Sequence, residues 1–149
     1  MTAKLTARAL RLLATREHSQ VELRRKLAAR AEEGDDIEAV IGRLSETGLQ
    51  SDERFAESYV RSRAERVGAG RLKRELSDRG VSAEIVESAL AHTLEEDEPT
   101  RARAVWRKKF GNAPQDAKEW ARQARFLQAR GFSADIIRKL LKEPFDESA

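Results

Sequence analysis

The sequence predicts an all-α protein of three tandem three-helix repeats forming an elongated, curved array. Three observations lead there. Val, Ile, Thr and aromatic residues never alternate over a strand's length, whereas apolar residues recur at helical spacing along the chain. Two segments nearly copy each other, RGVSAEIVESAL from Arg79 and RGFSADIIRKLL from Arg130, and their glycines, Gly80 and Gly131, stand 51 positions apart, a period typical of helical repeats. Finally, the chain is only 40% hydrophobic and 37% charged. One three-helix unit buries little surface alone, so neighbouring units are expected to share their cores.

The first repeat is placed at 5–49. A helix from Leu5 to Thr15 is followed by His18, which leads into a capping box of Ser19 and Glu22 and a helix carrying Leu23 and Leu27; DIEAVIGRL from Asp36 is the third. The second repeat, 51–96, opens with SDERFAESYVRSR. Ser51 caps a helix from Asp52 to Arg66, with Asp52 and Glu53 in its first turn. Phe55, Ala56, Tyr59, Val60, Ala64 and Val67 form one apolar stripe, so both aromatics are expected in the core. Glu57 and Arg61, and Arg61 and Glu65, have the spacing of ion pairs. Leu72 and Leu76 mark its second helix, and Ser82 caps the third. The third repeat, 99–142, has a helix from Thr100 to Lys109, Trp106, Phe110, Trp120 and Phe126 on apolar stripes, and a final helix capped by Ser133. A tail occupies 143–149. Pro99, Pro114 and Pro144 are read as helix breaks, and Gly34, Gly48, Gly80, Gly111 and Gly131 as left-handed C-caps.

The residues exclude most chemistry. There is no cysteine, hence no disulfide framework or thiolate chemistry. No apolar run spans a membrane or resembles a secretory signal, and a cytoplasmic setting is expected. His18 and His92 lie in no ligand pattern, so no zinc or other metal is expected. There is no Walker loop, no GxSxG elbow and no dinucleotide fingerprint; the GAG at Gly68 follows no strand. The acidic groups Glu32–Asp36 and Glu95–Glu98 lack calcium-loop spacing and are read as solvated linkers. Neither a catalytic residue nor a cofactor is expected.

Charge carries more information. The net charge is only +3, but residues 1–31 hold eight Lys/Arg against two acids, 32–59 two against nine, and 99–130 nine against two. Basic groups flank the leucines of the second helices: Arg24, Arg25 and Lys26, then Arg71, Lys73 and Arg74. Arg61, Arg63 and Arg66 end the helix of SDERFAESYVRSR, and Arg103, Arg107, Lys108 and Lys109 crowd the first helix of the third repeat. These residues are the candidates for contact with a polyanion, single- or double-stranded DNA, through phosphates and with little sequence preference. A helix-turn-helix reader is disfavoured, because the helix in the recognition position, SAEIVESALAHT, has two glutamates and no Lys or Arg.

With these motifs assembled, the sequence resembles the RecX family of bacterial modulators of the RecA recombinase. The likeness rests on ALRLLATREHSQVELRRKL from Ala9, SDERFAESYVRSR from Ser51, RLKREL from Arg71 and RGVSAEIVESAL from Arg79. Where the family has a Gly-Tyr-Gly-Pro-like turn, this chain has Arg66, Val67, Gly68 and Ala69, with Gly70 added. The resemblance implies a non-enzymatic, monomeric negative regulator that binds in the groove of the RecA–DNA filament. It would hinder filament extension, ATPase, strand exchange and co-protease activity, in DNA repair and the SOS response. The alternative is a sequence-nonspecific nucleic-acid-binding repeat protein acting without RecA.

Overall fold

The structure, a computed structural model, describes residues 2–142; the expected tail lies outside the described residues. Among the described residues it holds nine helices and no strand: α1 (Thr2–Thr15), α2 (Gln20–Ala28), α3 (Ile37–Glu46), α4 (Asp52–Arg63), α5 (Ala69–Asp78), α6 (Ala83–Thr93), α7 (Glu98–Lys109), α8 (Ala117–Ala129) and α9 (Ala134–Leu141). The all-α, three-by-three order agrees with the expectation. The described chain forms two compact units: residues up to Tyr59 together with Leu76–Ala91, and Val60–Glu75 together with the residues from His92 onward.

In the first unit α1, α2 and α3 pack on one another. Leu5, Ala9, Leu23, Leu27, Val40, Ile41 and Leu44 meet in their core, the residues that helical spacing places on one face of each helix. Asp36 caps α3 by accepting from the Ala39 N–H. A polar joint forms at the loop before α2. Ser19 and Glu22 complete the capping box, and the Ser19 hydroxyl also donates to the Arg79 carbonyl. The Gln20 N–H donates to Asp52 Oδ1. Buried Gln50 donates to Asp52 and to the His18 carbonyl. Gly80 has φ +81° and a Cβ there would lie 2.2 Å from Val21 Cγ2, so both backbone and space require glycine. The segment TREHSQVEL is therefore tied to two later helix starts and turns.

In the second unit α7, α8 and α9 pack pairwise around Ala102, Val105, Leu127, Phe132, Ile137 and Leu141. Trp106, Trp120 and Phe126 flank this core, half-buried. Buried Gln123 accepts from Trp106 Nε1 and donates to the Asn112 carbonyl. α4 ends at Arg63 rather than at Arg66. The turn that follows is held in place: the buried Arg101 guanidinium donates to the carbonyls of Ala64 and Val67 and pairs with Glu98. Glu98 also accepts the Ala69 N–H at the start of α5. One ion pair thus satisfies both ends of the turn. Pro99 is not a break; it sits in the first turn of α7, where a missing N–H costs nothing.

The glycines at 68 and 70 have a steric reason. The Gly68 N–H donates to the Arg130 carbonyl at 2.6 Å and the Gly70 N–H to the Gly131 carbonyl at 3.2 Å. A Cβ at Gly68 would lie 2.7 Å from the Gly131 oxygen, and one at Gly70 2.9 Å from it. Two backbones meet there, and only residues without a Cβ allow it.

Candidate polyanion-binding surface

The candidate cations separate into those already occupied and those that face solvent. On α2, Arg24 grips Glu38 with two hydrogen bonds of 2.6 and 3.0 Å. Lys26 is half-buried and its Nζ lies 3.0 Å from His18 Nε2. An ammonium can only donate, so Nε2 accepts and the ring's proton sits on Nδ1, which donates to the Arg16 carbonyl at 3.0 Å. His18 is 1% exposed, and burial, aided by the nearby Arg16 and Lys26 charges, holds its pKa below the ordinary value. Arg25 alone of the three is exposed and has no ion-pair partner among the described residues.

In the second unit Arg63 and Arg71 converge on one carboxylate. Arg63 Nε is 2.6 Å and Arg71 Nε 2.9 Å from Glu75 oxygens. Arg71 also donates to the Ala129 carbonyl. Both were expected to face a ligand; instead they fix the turn between α4 and α5. The expected Glu57–Arg61 and Arg61–Glu65 pairs do not form, and Arg61 projects into solvent. Arg61 and Lys108 line one cleft of about 570 Å³, together with Arg101, Glu65, Glu95 and Glu96. Arg66, Arg74, Arg103 and Arg107 are likewise exposed, with no ion-pair partner among the described residues. Lys73 is exposed but engaged.

Lys109 has a different setting. Its Nζ lies 5.6 Å from the centroid of the Phe126 ring, over which the Arg130 guanidinium also sits, at 4.7 Å. Arg122 lies over Phe110 at 5.2 Å. Sequence reasoning placed both rings on core stripes and passed over Arg122 and Arg130. The missed signal was the recurrence of basic residues one helical turn from each aromatic, Arg122 and Arg130 four positions either side of Phe126. Phe55, by contrast, is core, 3% exposed, and Tyr59 is half-buried beneath Arg79 at 4.7 Å. Among the described residues no cluster of His, Asp or Glu is arranged to hold a metal ion, and no helix is long and apolar enough to cross a membrane.

Models of the first, second and third three-helix domains of RecX match residues 7–44, 51–90 and 95–141 in that order. Regulatory protein RecX of Leptothrix cholodnii is 47% identical over 93% of this chain and 87% of its own length. That of Chromobacterium violaceum is 43% identical over 96% and 92%. The crystal structure of RecX from Lactobacillus salivarius is similar with a TM-score of 0.78 and 26% identity, covering 95% of both chains. With all three domains matched in order, and regulatory proteins of one name alike over most of the chain, this protein belongs to the RecX family.

Proposed function

We propose that this protein is a negative regulator of a RecA recombinase, binding the RecA–DNA filament in the cytoplasm as a monomer. By occupying the filament it would inhibit extension, ATPase, strand exchange and co-protease activity, and so act in DNA repair and the SOS response. The observation that carries this reading is family membership across all three domains. The exposed cations Arg25, Arg61, Arg66, Arg74, Arg103, Arg107 and Lys108, without ion-pair partners among the described residues, support it, because a nucleoprotein filament offers both phosphates and carboxylates. Arg24, Lys26, Arg63 and Arg71 hold the fold and Lys73 is engaged within it, so they rank below these as ligands.

The test is a titration of RecA ATPase on single-stranded DNA. Inhibition well below one molecule per RecA is expected; none at equimolar amounts sinks the proposal. The same exposed cations favour a second reading, a nucleic-acid binder acting without RecA. It requires binding to bare DNA at least as tight as to the filament, weakening steeply with salt.

A further inference from the structure

The basic–aromatic cluster at the ends of α7 and α8 lies at the edge of the core, with Phe126 packed against it. Phe110 and Phe126 meet edge to face at 5.3 Å. Both rings stay half-buried, and Phe110 is not part of the core beside it. Lys109, Arg122 and Arg130 stand over these rings, and Arg130 donates to the Arg66 carbonyl at 3.2 Å, which sets the backbone of a fourth, exposed basic residue beside the cluster. Only Arg122 has a carboxylate, Glu119 at 2.7 Å. Lys109, Arg130 and Arg66 have no ion-pair partner among the described residues. Like charges gathered without counter-charges repel one another, and an anionic ligand relieves that repulsion.

We infer that this cluster is a contact site for single-stranded nucleic acid, with bases stacking on the Phe126–Arg130 and Phe110–Arg122 pairs and phosphates held by Lys109 and Arg66. Aromatic rings and guanidinium planes are the two surfaces on which unpaired bases stack. A duplex keeps its base faces covered, and an acidic protein surface would be satisfied by the cations alone. The inference deepens the filament reading by placing the strand contact in one part of the chain, and it is tested without recombinase so that the two can fail separately.

The experiment measures fluorescence anisotropy of a labelled oligothymidylate of about 20 nucleotides, long enough for a site of this kind, against an abasic strand of equal length. The wild-type chain is expected to prefer the base-bearing strand by on the order of tenfold, the scale of one stacked base. Phe126→Leu abolishes that preference, bringing the two strands to equal affinity; Phe110→Leu, at a ring outside the core, gives the same answer if the first variant does not fold. Lys109→Gln with Arg130→Gln weakens both strands. Equal wild-type affinity for the two strands, preference retained in both leucine variants, or polyglutamate competing as well as the oligonucleotide overturns the inference. RecA ATPase inhibition by the same variants is read separately: its absence in the wild type removes the filament reading and leaves the strand contact standing.

Discussion

At the level of single residues, His18 shows how a buried polar group is made safe and what that costs at low pH. Its ring donates from Nδ1 and accepts the Lys26 ammonium at Nε2, an arrangement open only to the neutral form. A second proton would face Lys26 and Arg16 with Glu22 the one opposing charge. The unfolded chain therefore binds a proton near pH 6.5 while the folded one resists until lower pH, so stability falls as pH drops below 6.5. For Glu22, burial alone would raise the pKa, but hydrogen bonds from Arg16 and the Ser19 N–H outweigh it and hold it below 4.5; its contribution is lost only as pH falls beneath that value. The two windows separate. Urea midpoints measured at pH 7 and pH 5 should differ in the wild type, and His18→Gln should remove the difference. An unchanged slope in that variant would refute the assignment. The sequence showed His18 leading into a capping box, and that much was legible. Its burial and its lysine partner were not, because Lys26 lies eight positions away and nothing in the local pattern singles it out from Arg24 and Arg25.

At the level of elements, caps and glycine stops were readable because their chemistry is local: Ser133, Asp36 and Ser51 each accept an N–H three residues on. The end of α4 was not readable, because the carbonyls of the turn that follows it are taken by Arg101, more than thirty positions later. The same holds for the glycine turn, whose partner is Gly131. That contact sets two substitutions against each other. At Gly131, φ is +94° and a Cβ would lie 2.4 Å from the Arg71 nitrogen, so Gly131→Ala should cost about 2 kcal/mol or more from left-handed backbone and overpacking together. Gly42 lies inside α3, and a methyl group there would meet nothing within 4 Å, so Gly42→Ala should stabilise by roughly 0.5–1 kcal/mol through helix propensity. Urea unfolding of both variants checks the pair; two changes of the same sign would contradict the packing described for the turn.

Across the whole chain, net charge says little and pairing says much. The +3 total conceals cations that already have carboxylates and cations that have none among the described residues. The sequence located the basic runs, but could not sort them, because Glu75 serves Arg63 from another helix, twelve positions away. The sorting predicts distinct responses to salt. Each cation that neutralises a strand phosphate contributes about 0.7 to the slope of log affinity against log salt. The triple variant Arg103→Gln, Arg107→Gln, Lys108→Gln removes three exposed charges without ion-pair partners among the described residues, so its slope for single-stranded DNA should fall by about 2 while its urea midpoint stays put. The double variant Arg63→Gln, Arg71→Gln breaks the partly buried Glu75 cluster. Its slope should hold, but its stability should drop by about 1–3 kcal/mol as the carboxylate loses both arginines. If the double variant flattens the salt dependence as much as the triple does, the paired arginines leave Glu75 to reach the ligand, and occupancy within the fold does not select the binding cations.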